Sequence, residues 1–275
     1  MPRKPSSSLS PTLKRYAVTL EYDGAAFSGW QYQENAPTVQ AALEAVVEKR
    51  FREKRRAGGA SRTDAGVHAR AQGVLIHAAR PWEPFRLLMA LNAHLRADIR
   101  VQAVQPAPEG FFPRQHAVAK RYVYRLGLGP AADPLQAAFR WQVHQAVPLD
   151  LDLMAAAASP LLGTHDFTSF RSSECGATTP VRTIHDIRIV PVEGGAELIF
   201  EGTSFLMHQV RIMAGTLVEV GRGRRPAESL NGILRSKDRT RAGQTAPPEG
   251  LCLEKVWYEA RWGVGEPSPW GEREG

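Results

Sequence analysis

Residues 58–72 read GGASRTDAGVHARAQ and hold one carboxylate, Asp64. It is the only acidic residue between Lys54 and Trp82. Glycines at 58, 59 and 66 permit tight backbone and the close approach of a ligand. Nearby positive charge holds such a carboxylate ionised, and an ionised, oriented carboxylate is a nucleophile or a base. The plain alternative for Asp64 is a turn residue or a helix cap. A cap, however, needs neither an arginine two positions away nor a tract of basic residues. Glycoside hydrolysis places two carboxylates around the bond it breaks. Asp64 has no acidic companion near it in sequence, so glycosidic chemistry here would suit a leaving group that needs no separate acid. Uracil is one, because its anion is delocalised over two carbonyls.

The formal net charge of +7 and a pI of about 9.7 point toward nucleic acid or another anionic surface. Between Lys49 and Arg70 stand eight basic residues, Arg55, Arg56 and Arg62 among them, against Glu53 and Asp64. Arg222, Arg224 and Arg225 form a second cluster, and the two together suggest a surface that tracks phosphates. The eight histidines show no HxxxH or HExxH spacing, so no metal site is expected. Cys175 and Cys252 lack CxxC spacing, which suits a reducing cytoplasm without a disulfide. No apolar run approaches the roughly 20 residues of a membrane span. The basic N-terminus has no apolar stretch behind it, which excludes a signal peptide; residues 1–13 are expected to be a disordered arm.

The elements that must carry these residues follow from periodicity. YAVTLEY at 16–22 alternates as a strand, and a helix opens after Pro37 with Thr38 as N-cap and Val39, Leu43, Val46 and Val47 at helical spacing. Strands are expected at 74–77 and 99–104, with a helix over 84–95 between them. In KRYVYRL, Tyr122, Tyr124 and Leu126 share one strand face, and Arg121, Val123 and Arg125 the other. A helix over 149–162, a hairpin of 184–192 with 197–201, a helix over 205–220 and a strand at 253–258 complete the pattern. The two halves repeat the same strand-helix logic without a clear sequence repeat, so two similar α/β units sharing a sheet form the simplest α+β architecture.

SRTDAGVHARAQ resembles the RTDxGVHA motif of the tRNA pseudouridine synthase A family. YDGAAFSGWQYQ, APTVQAALE, KRYVYRL, PVRTI, FLMHQVRIMAGTLVEVG and TAPPEGLCLEKVWY fall in that family's order over roughly residues 14–260. The chain departs from it at Ser61, where many members have glycine, at Phe112-Pro113-Arg114 in place of an FHAR-like tetrapeptide, and at Arg96 in place of a frequent proline.

The resemblance implies two ferredoxin-like α/β halves, 14–115 and 116–262, sharing a mainly antiparallel sheet. Helices would pack on one side around a central RNA-binding cleft, and 263–275 would form a disordered tail. It implies isomerisation of uridine to pseudouridine in tRNA without cofactor or metal, at positions 38, 39 and 40 of the anticodon stem-loop, by a cytoplasmic homodimer. Asp64 matches the catalytic aspartate, Tyr122 the active-site tyrosine and Arg211 an arginine expected to pair with the aspartate. A buried arginine on an apolar helix is costly unless paired, which supports the last match independently. Arg62 is expected to touch RNA beside the extruded base, and Arg55, Arg56, Arg182, Arg222 and Arg224 to contact RNA more widely. Three rivals remain at this point: an RNA-binding module without chemistry, a nucleoside or sugar hydrolase, and a related synthase with another RNA target.

Overall fold

The structure is a computed structural model that describes residues 13–52, 54–129, 131–144 and 148–271. All but the last residue of the expected N-terminal arm lies outside them. The first half runs β1 (Lys14–Tyr22), α1 (Val39–Phe51), β2 (Gly58–Gly59), β3 (His68–Ala78), α2 (Pro84–Asn92) and β4 (Ile99–Pro106). The second runs α3 (Pro113–His116), β5 (Ala117–Leu128), β6 (Trp141–Val143), α4 (Leu151–Ala158), β7 (Gly163–Asp166), β8 (Val181–Val192), β9 (Gly195–Gly202), α5 (Gln209–Gly221), α6 (Ser229–Ser236) and β10 (Leu251–Tyr258).

One sheet in the order β4-β1-β3-β10-β5-β9-β8-β7 joins the halves. Within the first, β1-α1-β2-β3-α2-β4 takes the order β4-β1-β3-β2; within the second, β5-α4-β8-β9-α5-β10 takes the order β10-β5-β9-β8. Both are the split β-α-β of ferredoxin-like folds, whose crossovers of one hand carry both helices on the same face. Pairing is antiparallel except at β5–β6 and at the seam. At the seam β10 runs parallel to β3 through only Cys252↔His68 and Leu253↔Ala69. The two-residue β2 covers the other end of β3, opposite Val74 and Leu75, which leaves room for β10 at its start.

Local chemistry explains the boundaries. Thr38 caps α1 by accepting from the Ala41 amide, as expected. The helix expected over 149–162 is α4, capped by Asp150 and followed by a 3₁₀ turn at Ser159–Leu161, because Pro160 has no amide to continue the α ladder. The helix expected from 205 begins at Gln209, since His208 sits in the left-handed region at φ 62°. On β5, Tyr122, Tyr124 and Leu126 are buried, while Arg121 and Arg125 on the opposite face pair with Glu201, Glu197 and Glu254. The C-terminal stretch expected to lack order lies, as far as residue 271, along that same face. Glu266 pairs with Lys255 at 2.6 Å, and Trp270 stacks on His185 and donates to buried Glu201 at 2.8 Å.

Candidate active site

The loop 60–67 between β2 and β3 carries Asp64, and the first half holds that loop rigidly. The Tyr22 hydroxyl meets Thr63 Oγ1 at 2.8 Å in the interior. The Trp30 amide donates to the Thr63 carbonyl at 3.1 Å. Buried Gln72 clamps Ser61 from both sides, accepting from its amide at 3.1 Å and donating to its carbonyl at 2.6 Å. Gly29, at φ +89°, lies so close that a Cβ would stand 2.5 Å from the Thr63 carbonyl, and Gly66 turns the loop back at φ +76°. The stretch YDGAAFSGW is therefore the cradle of the RTD loop, a role that periodicity alone does not reveal.

The second half supplies what faces the carboxylate. Arg211, in the first turn of α5, reaches Asp64 Oδ2 with Nη1 at 3.4 Å, while its Nε donates to the Ala246 carbonyl at 2.8 Å. The guanidinium is thereby aimed by one bond and used by another. The N-terminus of α5 adds the positive end of a helix dipole on the same side. His208 Nε2 stands 3.7 Å from the same Asp64 oxygen. Burial lowers the His208 pKa below its ordinary value, Asp64 opposes this and Arg211 adds to it, so the imidazole is neutral near pH 7.

Tyr122 rises from β5 with its hydroxyl 2.8 Å from Ser61 Oγ and its ring edge-on to Phe205 at 5.3 Å. Burial pushes the phenol far above its ordinary pKa; the Ser61 bond works against this and the Asp64 charge with it. Tyr122 is thus a neutral hydrogen-bonding group, not a phenolate. Two residues earlier on the same strand face, buried Lys120 donates to the Ala60 carbonyl at 2.9 Å and to Ser61 Oγ at 3.4 Å.

Asp64, Ser61, Lys120, Tyr122, Phe205 and His208 line a cleft of about 410 Å³ between the halves, and Arg211 reaches it through Asp64; the volume is within the range of sites that enclose one small ligand. Arg62 stands exposed on its lip and Arg182 of β8 on its wall. Arg182 Nη1 donates to the Thr179 and Val181 carbonyls at 2.9 and 2.6 Å. Its Nε is buried without a partner among the described residues, and burial lowers its pKa. The other expected RNA contacts lie elsewhere. Arg55 and Arg56 follow α1, where Arg56 pairs with Glu44 at 2.8 Å and lies over the Tyr32 ring at 3.7 Å. Arg222 and Arg224 follow the far end of α5, about 16 Å along the axis from Arg211 at ~1.5 Å per residue. His208, Phe205 and Lys120 are among the cleft residues that sequence reasoning does not single out. Lys120 carries a usable signal, a lysine in register with Tyr122 on the buried face of its strand. Among the described residues no cluster of three or more His, Cys, Asp or Glu could hold a metal ion, and no helix is long and apolar enough to cross a membrane.

The arrangement is a carboxylate backed by a guanidinium, opposite a neutral phenol, in a cleft with arginines at its mouth. It fits chemistry on one residue of a polyanion. Comparison with known proteins agrees with that chemistry. A family profile described as tRNA pseudouridine synthase matches residues 18–113 and 157–259. The tRNA pseudouridine synthase A of Myxococcus xanthus is 42% identical over 247 residues, covering 90% of this chain and 92% of the relative. That of Nitrobacter winogradskyi is 44% identical over 248 residues, covering 90% and 96%. Among solved structures, a Cbf5–Nop10–Gar1 complex matches at a TM-score of 0.39 and 13% identity, over 88% of this chain and 48% of that one. The chain belongs to the tRNA pseudouridine synthase A family, isomerases that convert uridine in tRNA to pseudouridine.

Proposed function

We propose that Asp64 is the reactive group of a synthase that isomerises uridines 38, 39 and 40 in the anticodon stem-loop of tRNA. The observation that carries this reading is the convergence of Asp64 and Tyr122, from two halves of the chain, on one cleft, with Arg211 of the second half paired to Asp64. A binding module needs no cation to hold a carboxylate in place, and among the described residues no second carboxylate lines the cleft as a hydrolase of the two-acid type requires.

The target uridine lies in a stacked stem and must leave it to reach the cleft, at a cost of a few kcal/mol. Phosphate contacts by the basic surface supply that energy through counterion release, and Arg62 at the lip holds the extruded nucleotide. The C1′–N1 bond then breaks with its electron pair going to uracil. Asp64 either bonds to C1′ or takes the C2′ proton to give a glycal. Arg211 keeps the carboxylate aimed throughout. The uracil turns and C5 bonds to C1′ as Asp64 leaves C1′, or as the proton that it took returns to C2′; the C5 hydrogen leaves as a proton and N1 takes one up. The uracil is both leaving group and incoming nucleophile, so no cofactor enters the balance. The enzyme acts in the cytoplasm as a homodimer, one tRNA reaching across both copies.

The test is tritium release from a tRNA transcript labelled at uracil C5, wild type beside Asp64→Ala. Release by wild type alone supports the assignment. Release by both means that another group does the chemistry. Release mapped outside positions 38–40 removes the anticodon-stem assignment and leaves the role of Asp64 intact.

A further inference from the structure

Three arginines line the cleft: Arg62 from the loop 60–67, Arg114 from α3 and Arg182 from β8. Arg182 spends Nη1 on the Thr179 and Val181 carbonyls. The one carboxylate in the lining, Asp64, is engaged by Arg211. Arg62 and Arg114 are both exposed, and among the described residues neither guanidinium has a hydrogen bond or an ion pair. A guanidinium keeps its charge at any working pH and only donates, so these two groups are open to an anion and to nothing else of comparable strength.

An exposed arginine without a partner is ordinarily a solvated surface residue. Arg114 differs in the backbone that carries it. Arg15 of β1 donates to the Pro108 carbonyl at 3.0 Å and to the Phe111 carbonyl, and lies over the Phe112 ring at 5.2 Å. Phe111 is fully buried, with its ring 5.2 Å from Tyr258 and 5.7 Å from Trp262. Pro113 opens α3 and is buried. His116 closes α3, stacks on Trp262 at 4.2 Å and accepts from the Phe112 amide at 3.0 Å. α3 lies against β2 and β3, the strands that the loop 60–67 connects. The backbone of Arg114 is therefore fixed relative to Asp64, while its guanidinium is left for a ligand.

We propose that Arg114 is a positioning residue that binds one of the two phosphates flanking the uridine in the cleft, the counterpart of Arg62 in a two-arginine clamp. A nucleotide drawn out of a stem carries a phosphate on each side. The cleft offers two free planar forks on separate elements, and each fork matches phosphate oxygens bidentately. Arg114 touches no reacting atom. Because α3 and the loop 60–67 rest on the same strands, the clamp sets C1′ against the Asp64 carboxylate, where an error of about 1 Å costs about 10²-fold in rate. The proposal rests on the reading that a uridine of tRNA enters this cleft.

The experiment pairs the arginine with the phosphate. Full-length tRNA is ligated with a single neutral methylphosphonate 5′ or 3′ of the uridine that tritium release maps, or of uridine 39 if it maps none. Affinity and its salt dependence are measured for wild type, Arg114→Gln and Arg114→Lys on these two RNAs and on unmodified tRNA. Arg114→Gln is expected to bind unmodified tRNA about tenfold more weakly, the worth of one charged hydrogen bond, with a salt slope lower by about one. Arg114→Lys keeps the slope and loses about threefold, because an ammonium lacks the fork. One of the two methylphosphonates weakens wild-type binding about tenfold and Arg114→Gln binding less than twofold, since both remove the same contact. Single-turnover tritium release by Arg114→Gln at saturating enzyme falls about fivefold. Methylphosphonate losses that add fully to that of Arg114→Gln, or an unchanged salt slope, overturn the phosphate contact. A wild-type saturated rate in Arg114→Gln overturns the positioning role. A lowered urea midpoint in Arg114→Gln would show that Arg114 serves the fold instead, which also overturns the proposal. A wild type that releases no tritium refutes the assigned reaction, while the affinity, slope and coupling still judge the contact of Arg114.

Discussion

Arg211 offers the sharpest test of the site, because its two bonds make different demands. Nε is spent on the Ala246 carbonyl at 2.8 Å, and Nη1 reaches Asp64 at 3.4 Å. A lysine keeps the charge, but its one nitrogen cannot occupy both the Nε and the Nη1 positions of the rigid fork. A hydrogen bond to a charged group contributes about 1.5–3 kcal/mol, and 3.4 Å is long for one, so the lower part of that range applies. At about 1.4 kcal/mol per tenfold, Arg211→Lys should slow the chemical step about 10- to 30-fold. Arg211→Met removes the cation as well. Breaking a buried pair costs about 3–5 kcal/mol, and the 21% exposure of the Asp64 side chain reduces this to roughly 2–4 kcal/mol, near a 10²-fold loss. The assay is single-turnover tritium release with enzyme in excess, so that binding and product release do not enter, and tRNA affinity is measured separately by filter retention. The loss should fall on the rate, with affinity within threefold. An Arg211→Met enzyme within threefold of the wild-type rate would show that Asp64 does not depend on this partner. A loss confined to affinity would make Arg211 an RNA contact instead.

Asp64→Asn should drop turnover by at least about 10³-fold with tRNA affinity within a few-fold, because the amide keeps the shape and loses the nucleophile or base; an active amide variant would refute its role. Replacing Arg52, Lys54, Arg55 and Arg56 by glutamine should weaken tRNA binding and lower its salt slope by about one for each phosphate no longer neutralised. Arg56 should account for least of this, since Glu44 and Tyr32 already engage it; an unchanged slope would remove the tract from the RNA interface. Thr63→Val takes from the Tyr22 hydroxyl its 2.8 Å partner in the core and should destabilise the fold by about 1 kcal/mol or more in urea unfolding; no change would mean that the loop is held elsewhere. His208 has a folded pKa below its unfolded value, so its contribution is at full strength above pH 6.5 and is lost as pH falls through the lower folded value. Desolvation and Arg211 and Arg239 favour the neutral ring, against Asp64 and Glu174. His208→Asn, which tolerates the left-handed backbone, should flatten the acid side of the stability profile; an unchanged slope would assign that loss to other groups.

The site is legible in the sequence wherever one residue's chemistry is costly without a partner. Arg211 on an apolar helix demands an anion, and Asp64 in a basic loop demands a reason. The alternation in KRYVYRL sets Tyr122 facing inward and sends Arg121 and Arg125 to acids on the other face. What stays hidden depends on contacts between distant segments. Two-residue β2 has no periodicity to read, yet it completes the strand order of the first half. The start of α5 is obscured because the apolar spacing continues back through Leu206, while His208 breaks the helix by backbone conformation alone. Trp270 in a Gly/Pro-rich tail gives no local sign of its bond to Glu201, whose need for a partner exists only once β9 is buried. Basic residues are legible as a charge balance but not as a map, since Arg222 and the cleft share a helix and occupy opposite ends of it.

The position of the site at the seam follows from how little backbone joins the halves there. β3 and β10 share only two residue pairs. Side chains of the second half must therefore complete the junction, and they do so on the loop that carries Asp64: Lys120 on the Ala60 carbonyl, Tyr122 on Ser61, Arg211 on Asp64. Each half folds its own part of the cleft, the loop on Tyr22 and Trp30 in one and the guanidinium on Ala246 in the other. A shift of one half against the other by an ångström would leave both cores intact and separate Asp64 from its cation. The same polar contacts that join the halves thus set the geometry of the proposed chemistry, which is why a buried lysine and a half-buried arginine are worth their desolvation in this place and would not be elsewhere in the sheet.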